Sequence, residues 1–379
     1  MDTQKLRLPQ IGFDMPITDM ILELEKLRYK ILRGTTHPLV FNQIRELFQM
    51  LESIGSSRIE GNNTTIIDYV ETTKIQNTEQ FSIHEDIKEI ENIENATRYI
   101  EENINDTPIS MKFIRELHFL VVDGLNYKKE GALHKGMLRE SNVKIEGSNH
   151  TPPDYTQVEL LMQELLDFIN QPTSPKYDLL KIAIAHHRFV WIHPFENGNG
   201  RVVRLFTYAL LLKFVFTSRD RIINPTAVFC SNRDKYYYYL SKADKGTDDG
   251  LIEWSEYMLK GLKNEIEKID HLTDYAYLKD HILIPAIQDA FAKSYISSVE
   301  CEILKKTAEI QEMQSKDLIR VLGNVGDARR SQVIRALVDK NMLLQTPHNK
   351  RKYVLYFSNN YLLRSILSML DKDGFLPTN

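Results

Sequence analysis

The stretch that most constrains this chain is residues 193–204, His-Pro-Phe-Glu-Asn-Gly-Asn-Gly-Arg-Val-Val-Arg, which runs into the apolar segment Leu205 to Leu212. That segment is strongly helical, so the loop before it must deliver the chain into a helix N-terminus. First-turn N–H groups lack intrahelical partners there and the helix dipole is positive, which together make an anion site. Gly198 and Gly200 let backbone amides approach a phosphate closely and admit positive φ. Arg201 and Arg204 stand three apart, on one helical face near that end. The planar guanidinium fork suits phosphate oxygens. These residues describe a phosphate cradle with one imidazole, His193, at its lip. They point to catalysis on a nucleotide.

The pattern His193-Pro-Phe-x-x-Gly-Asn-Gly-Arg-x-x-Arg resembles the signature of the Fic (filamentation induced by cyclic AMP) family. The resemblance implies a mainly α fold, a Fic-type helical core with a short β-hairpin flap, and transfer of AMP from ATP to a hydroxyl side chain of a target protein. It makes His193 the base and packs Phe195 into the core. Asn199, with the amides around Gly198 and Gly200, would take the α- and β-phosphates, and Arg201 and Arg204 the β and γ. An imidazole with an ordinary pKa near ~6.5 is largely neutral at physiological pH and can accept the hydroxyl proton. Family members commonly carry Asp or Glu at the second position after the Phe. Asn197 stands there instead, next to Glu196. Mg²⁺ is therefore expected to arrive with ATP, with Asn197 a weaker ligand than a carboxylate. The resemblance also puts adenine at Tyr237 with an asparagine seven residues later, where this chain has Asp244.

Ser56-Ser57-Arg58-Ile59-Glu60-Gly61 gains meaning beside that signature. Alone it reads as a helix–loop–helix connection, after a helix that stops at Gly55. It is similar to the Ser-x-x-x-Glu-Gly inhibitory motif of Fic proteins, whose glutamate pairs with the last signature arginine, here Arg204. A carboxylate on Arg204 would occupy the donors a γ-phosphate uses and would repel that phosphate. The resemblance thus makes Ser56 and Glu60 inhibitory.

Elsewhere, periodicity gives helices over 17–32, 38–54, 83–104, 110–120, 158–169 and 178–189. Helix 83–104 carries Glu85, Asp86, Glu89, Glu91 and Glu94 and reads as a solvated acidic face. Alternation around Val143 and Ile145 before Gly147 and Pro152-Pro153 gives a hairpin over 139–150. In the family that flap holds the target by strand addition, whose main-chain hydrogen bonds demand no particular sequence. His186 and His187 with His193 fit no standard zinc spacing. Four tyrosines, 236–239, must point in different directions on a helix. Residues 270–280 look like a boundary. Helix, turn, helix and hairpin over 281–379 then resemble a winged-helix (α+β) domain. Between Ser315 and Lys352, nine Lys/Arg face three Asp/Glu, with Arg329, Arg330 and Arg335 on the second helix and Lys350, Arg351 and Lys352 at the wing tip. Those are the two places such a domain meets DNA phosphates, although a wing equally serves protein partners or dimerisation.

The expected organisation is an N-terminal helical region 1–109 with the inhibitory motif 56–61, a catalytic core 110–270, and the winged-helix-like domain 281–379. Net charge of −4 gives no global pull to nucleic acid or membrane, and two distant cysteines, Cys230 and Cys301, suggest a reducing compartment. Residues 1–10 lack the apolar core of a signal peptide and Val202–Phe216 is too short to span a bilayer, so a cytoplasmic, membrane-free protein is expected. The main expectation is an autoinhibited protein adenylyltransferase that also modifies itself. The alternatives are a DNA-binding regulator with a nucleotide-sensing core, or a Fic enzyme with another nucleotide donor, which Asp244 keeps open. Homodimerisation through the core or the wing is a further option.

Overall fold

The computed structural model describes residues 6–29, 34–75, 85–145, 148–216, 222–323, 325–358 and 361–376. Glu146 and Gly147 of the expected flap, and Asn324 of the expected turn, lie outside them. In chain order the helices are α1 (Pro16–Tyr29), α2 (Pro38–Ile59), α3 (Ile66–Val70), α4 (Glu85–Asn103), α5 (Met111–Val122), α6 (Val158–Asn170), α7 (Asp178–Ile192) and α8 (Asn199–Leu210). There follow α9 (Pro225–Cys230), α10 (Arg233–Ala243), α11 (Asp248–Asp270), α12 (Tyr275–Tyr277), α13 (Ile284–Ala292), α14 (Ser298–Ile310), α15 (Ile319–Leu322), α16 (Asp327–Asp339) and α17 (Leu362–Lys372). No helix among the described residues is long and apolar enough to cross a membrane. The chain divides into two compact units: residues 1–31, 52–64 and 82–266, and residues 32–51, 65–81 and 267–379.

The first unit is built around α7 and α8. Both are buried on nearly every face rather than on one stripe, so both are central. Phe189, Phe195 and Phe206 are wholly buried between them, with ring centroids 6.3 and 5.7 Å from Phe189. Each such ring contributes about 1.5–3 kcal/mol on leaving water. From α11, Trp254 closes the core and donates its indole N–H to the Ala183 carbonyl at 2.7 Å. The helix expected to stop at Gly55 continues to Ile59. A glycine inside a helix costs only about 1 kcal/mol, and burial of Ser56, Ser57 and Ile59 outweighs that. Residues 139–150 also depart from expectation. The described part forms no strand pair. Alternation is a local signal, whereas a ladder needs a partner edge, and none of the described residues provides one.

In the second unit, β1 (Leu343–Thr346) and β2 (Asn349–Leu355) pair antiparallel, with Leu343 opposite Leu355 and Leu344 opposite Val354. Met313 adds an isolated bridge to Tyr353. A Ser297–Glu300 capping box starts α14, and α15, α16 and the hairpin follow in the expected order. Helical turns run through the expected boundary at 270–280, with Leu272, Tyr275 and Leu278 buried. Of the basic residues, Arg330 pairs with Asp327 and Lys352 with Glu312. No acid among the described residues pairs with Arg329, Arg335, Lys350 or Arg351.

Candidate functional site

Pro194 cannot continue a helix, so α7 ends at His193, which caps it in the left-handed conformation (φ 52°, ψ 63°) with its N–H on the Phe189 carbonyl at 3.0 Å. A non-glycine residue in that region is uncommon and marks a position held by its surroundings. Phe195 stacks on the buried His118 ring at 3.9 Å, and Gly198, at φ 74°, turns the chain into α8. Asn199 fixes the loop from within. Its Oδ1 accepts from the Phe195 N–H at 2.9 Å and its Nδ2 donates to the Phe195 carbonyl at 2.8 Å. Its side chain thus braces the loop by one bond at each end, and a second Nδ2–H is left over. Burial pushes the His193 imidazole down to about 4, with Arg139 adding to the effect, so it is neutral at physiological pH.

Arg201 and Arg204 are both buried on the inner side of α8, and both are occupied. Arg204 donates from Nε to the Ser56 hydroxyl (2.8 Å), and from Nη2 to the Ser56 carbonyl (2.9 Å) and Glu60 Oε1 (2.6 Å). Glu52, Ser56 and Glu60 stand four apart on α2 and just beyond its end, so one helical face brings them to this place. Glu52 accepts from the Thr226 N–H with both oxygens, and burial raises it to about 8. Burial also pushes Glu60 up, but Arg204 and Arg201 outweigh it and hold the carboxyl below its ordinary value. Its ion pair is present above the ordinary carboxyl pKa. The pair is lost only as pH falls through the lower, folded-state value, so pH does not relieve the contact in the neutral range.

Arg201 meets Glu89 at 2.9 Å, Glu130 Oε2 at 2.7 Å and the Glu130 carbonyl at 2.8 Å. Glu89 also accepts from Asn62 Nδ2 at 2.8 Å. Asn62, Glu89 and Glu130 had no signal in the sequence. Glu89 sat in an acidic helix read as solvated, yet it is buried, and burial raises its pKa. Gly200 has a steric reason. A Cβ there would lie 2.1 Å from Glu60 Oε1 and 3.0 Å from Arg204 Nη1. A Gly200→Ala change should evict the carboxylate and destabilise the protein, whereas in a Glu60→Gly background it should be neutral or stabilise by up to about 1 kcal/mol. Denaturant melts of the four proteins should give a coupling of about 1–3 kcal/mol. Additive effects would show that Glu60 does not sit there.

The remaining residues divide. Tyr237 is 42% exposed with the Arg233 guanidinium 5.5 Å over its ring. Asp244 is engaged by His187 Nε2 at 2.9 Å. Tyr236 is buried on His186 (2.9 Å), so the four tyrosines diverge as helical geometry requires. Asn197 donates to the Lys129 and Gly131 carbonyls at 3.1 and 2.8 Å. No group of three His, Cys, Asp or Glu among the described residues could hold a metal.

Residues 108–211 match the profile of the Fic/DOC family. A protein adenylyltransferase Fic of Drosophila willistoni is 30% identical over 193 residues, 50% of this chain and 35% of that protein. Its Drosophila melanogaster counterpart is 30% identical over 50% and 36%. The chain thus spans about a third of the length of these curated relatives. A Fic family protein from Desulfovibrio desulfuricans superposes with a TM-score of 0.55 at 19% identity, covering 93% of this chain and 98% of that one. Residues 134–508 of Fic-1 from C. elegans superpose with a TM-score of 0.52 at 22% identity over 66% and 71%. These likenesses carry the fold.

Proposed function

Because the chain belongs to the Fic/DOC family through residues 108–211, we propose that it is an autoinhibited protein adenylyltransferase acting on a target hydroxyl and on itself. The carrying observation is a neutral imidazole, His193, at the lip of a helix N-terminus whose Arg204 is held by Glu60. His193 accepts the proton of the hydroxyl as its oxygen bonds to the α-phosphorus of ATP. The bond from the α-phosphorus to the bridging oxygen breaks, and pyrophosphate leaves. The α8 amides and Arg204 stabilise charge on the departing phosphates. Arg201 joins them once Glu89 and Glu130 give way. Mg²⁺ comes with the nucleotide, supplying charge neutralisation on phosphate oxygens, and Asn197 at most supplements it.

The described residues of the 139–150 segment receive the target backbone, and Tyr237 with Asp244 borders the base. Two free thiols, Cys230 and Cys301, fit a cytoplasmic setting. Residues 281–379 serve as a winged-helix interaction domain. Internal pairing of Arg330 and Lys352 reduces the charge it offers DNA, which favours the transferase over the regulator reading. The test is label transfer from ATP to protein. Label on the α-phosphate should be retained by the protein and label on the γ-phosphate should not. Retention of the γ-label instead would identify phosphoryl transfer and sink the reading.

A further inference from the structure

We propose that Arg139 is a positioning residue for His193, holding the imidazole-bearing turn against the segment that would receive the target. The proposal rests on the transferase reading and deepens it. Arg139 is 3% exposed, and its guanidinium contacts only carbonyls among the described residues. Nε donates to the His193 carbonyl at 2.9 Å, Nη1 to Ser141 at 2.9 Å, and Nη2 to Pro153 at 2.5 Å and Ile192 at 3.4 Å. Its own N–H donates to the Pro194 carbonyl at 2.9 Å. The carbonyls of Ile192 and His193 are orphans of the α7 C-terminus, where a cation is favoured. One planar group therefore ties the left-handed cap, the residue before it, Ser141 and Pro153 together.

A buried cation with no carboxylate in contact is a costly way to gain stability. Burial lowers its pKa, and Asp154 only partly offsets this. What the arrangement does provide is orientation, because a rigid fork can reach four carbonyls in fixed directions and an ammonium cannot. The φ of His193 lies where a free chain rarely goes, so the turn needs such an external hold. His150 anchors the other side, its Nε2 2.8 Å from the Trp191 carbonyl. The charged and titratable groups acting on the imidazole are Arg139, Glu60 and His150. Removing the first takes away a cation that holds the imidazole in its neutral form.

The test uses full-length Glu60→Gly protein carrying Arg139→Gln or Arg139→Lys. In the Gln variant, kcat for self-labelling by ATP should fall about 10²-fold, the loss expected of a displaced reacting group, with KM for ATP changed less than about threefold. The Lys variant keeps the charge and should recover only part of kcat. The His193 ring should titrate higher in the Gln variant than in its parent, followed by NMR of protein with ¹³C-labelled histidine. If the Gln variant does not fold, the Lys variant decides through its own kcat loss at unchanged KM. Parental kcat in a folded variant, or a rise in KM that accounts for the whole loss, overturns the proposal. So does an unmoved His193 titration in the Gln variant. If the Arg139-containing parent fails to label at all, the transferase reading fails instead, and the NMR titration still reports on Arg139.

Discussion

A Glu60→Gly variant incubated with ATP and Mg²⁺ should label itself about tenfold to thousandfold faster than the native chain, read by intact mass or retained α-label. The size follows from what the carboxylate does. It sits 2.6 Å from Arg204 Nη2 and lies where a Cβ on Gly200 would go, at the first turn of α8. A γ-phosphate would compete there for the same donor against a group already ionised throughout the neutral range. It would also meet like-charge repulsion. Breaking a half-buried ion pair and lifting that repulsion is worth a few kcal/mol, and each 1.4 kcal/mol is tenfold. Arg204 itself should stay in place, because Ser56 holds it through both hydroxyl and carbonyl. Glu60→Gln, which keeps the shape and loses the charge, should fall between the two. Equal labelling of the native and Glu60→Gly proteins, with ATP shown to bind both, would falsify the inhibitory role.

The parts of this site that could be read in the sequence are those whose chemistry is local. His193, the two glycines and Arg204 fall within twelve residues, and Ser56 and Glu60 are four apart on one face. Their meeting needed only a helix and a family pattern. What escaped the sequence depends on distant partners. Nothing near Glu89 says that it will be buried against Arg201, because an acidic residue in an amphipathic helix looks the same whether it faces water or a guanidinium. Arg139 was hidden inside a segment read as a strand, and its partners are backbone carbonyls, which every residue possesses. Gly55 misled for the opposite reason. Its propensity is intrinsic, and packing of the residues after it overrode it. The bracing role of Asn199 was not legible, because an amide beside glycines in an anion loop can turn outward to a ligand or inward to the backbone. Only the closed loop shows which.

Replacing His193 in the Glu60→Gly background should remove transfer while leaving ATP binding intact. General acid–base catalysis by a positioned side chain supplies about 10²–10⁴-fold, and an imidazole held near 4 is a weak base, so the loss should lie towards the lower end. The backbone complicates the choice of variant. At φ 52°, alanine bears the same Cβ strain of about 1–2 kcal/mol that His193 bears, but lacks the polar side chain with which His, Asn and Asp tolerate the left-handed region. Asparagine is one of the residues that tolerates the left-handed region, and it cannot accept a proton at neutral pH. If His193 acts by chemistry, Asn and Ala should lose transfer equally while the Ala variant alone melts earlier. If His193 merely holds the turn, Asn should keep most of the activity and Ala should not. Comparable labelling by the Asn variant and its parent would remove the base from the mechanism and leave the cradle to be explained by another reaction.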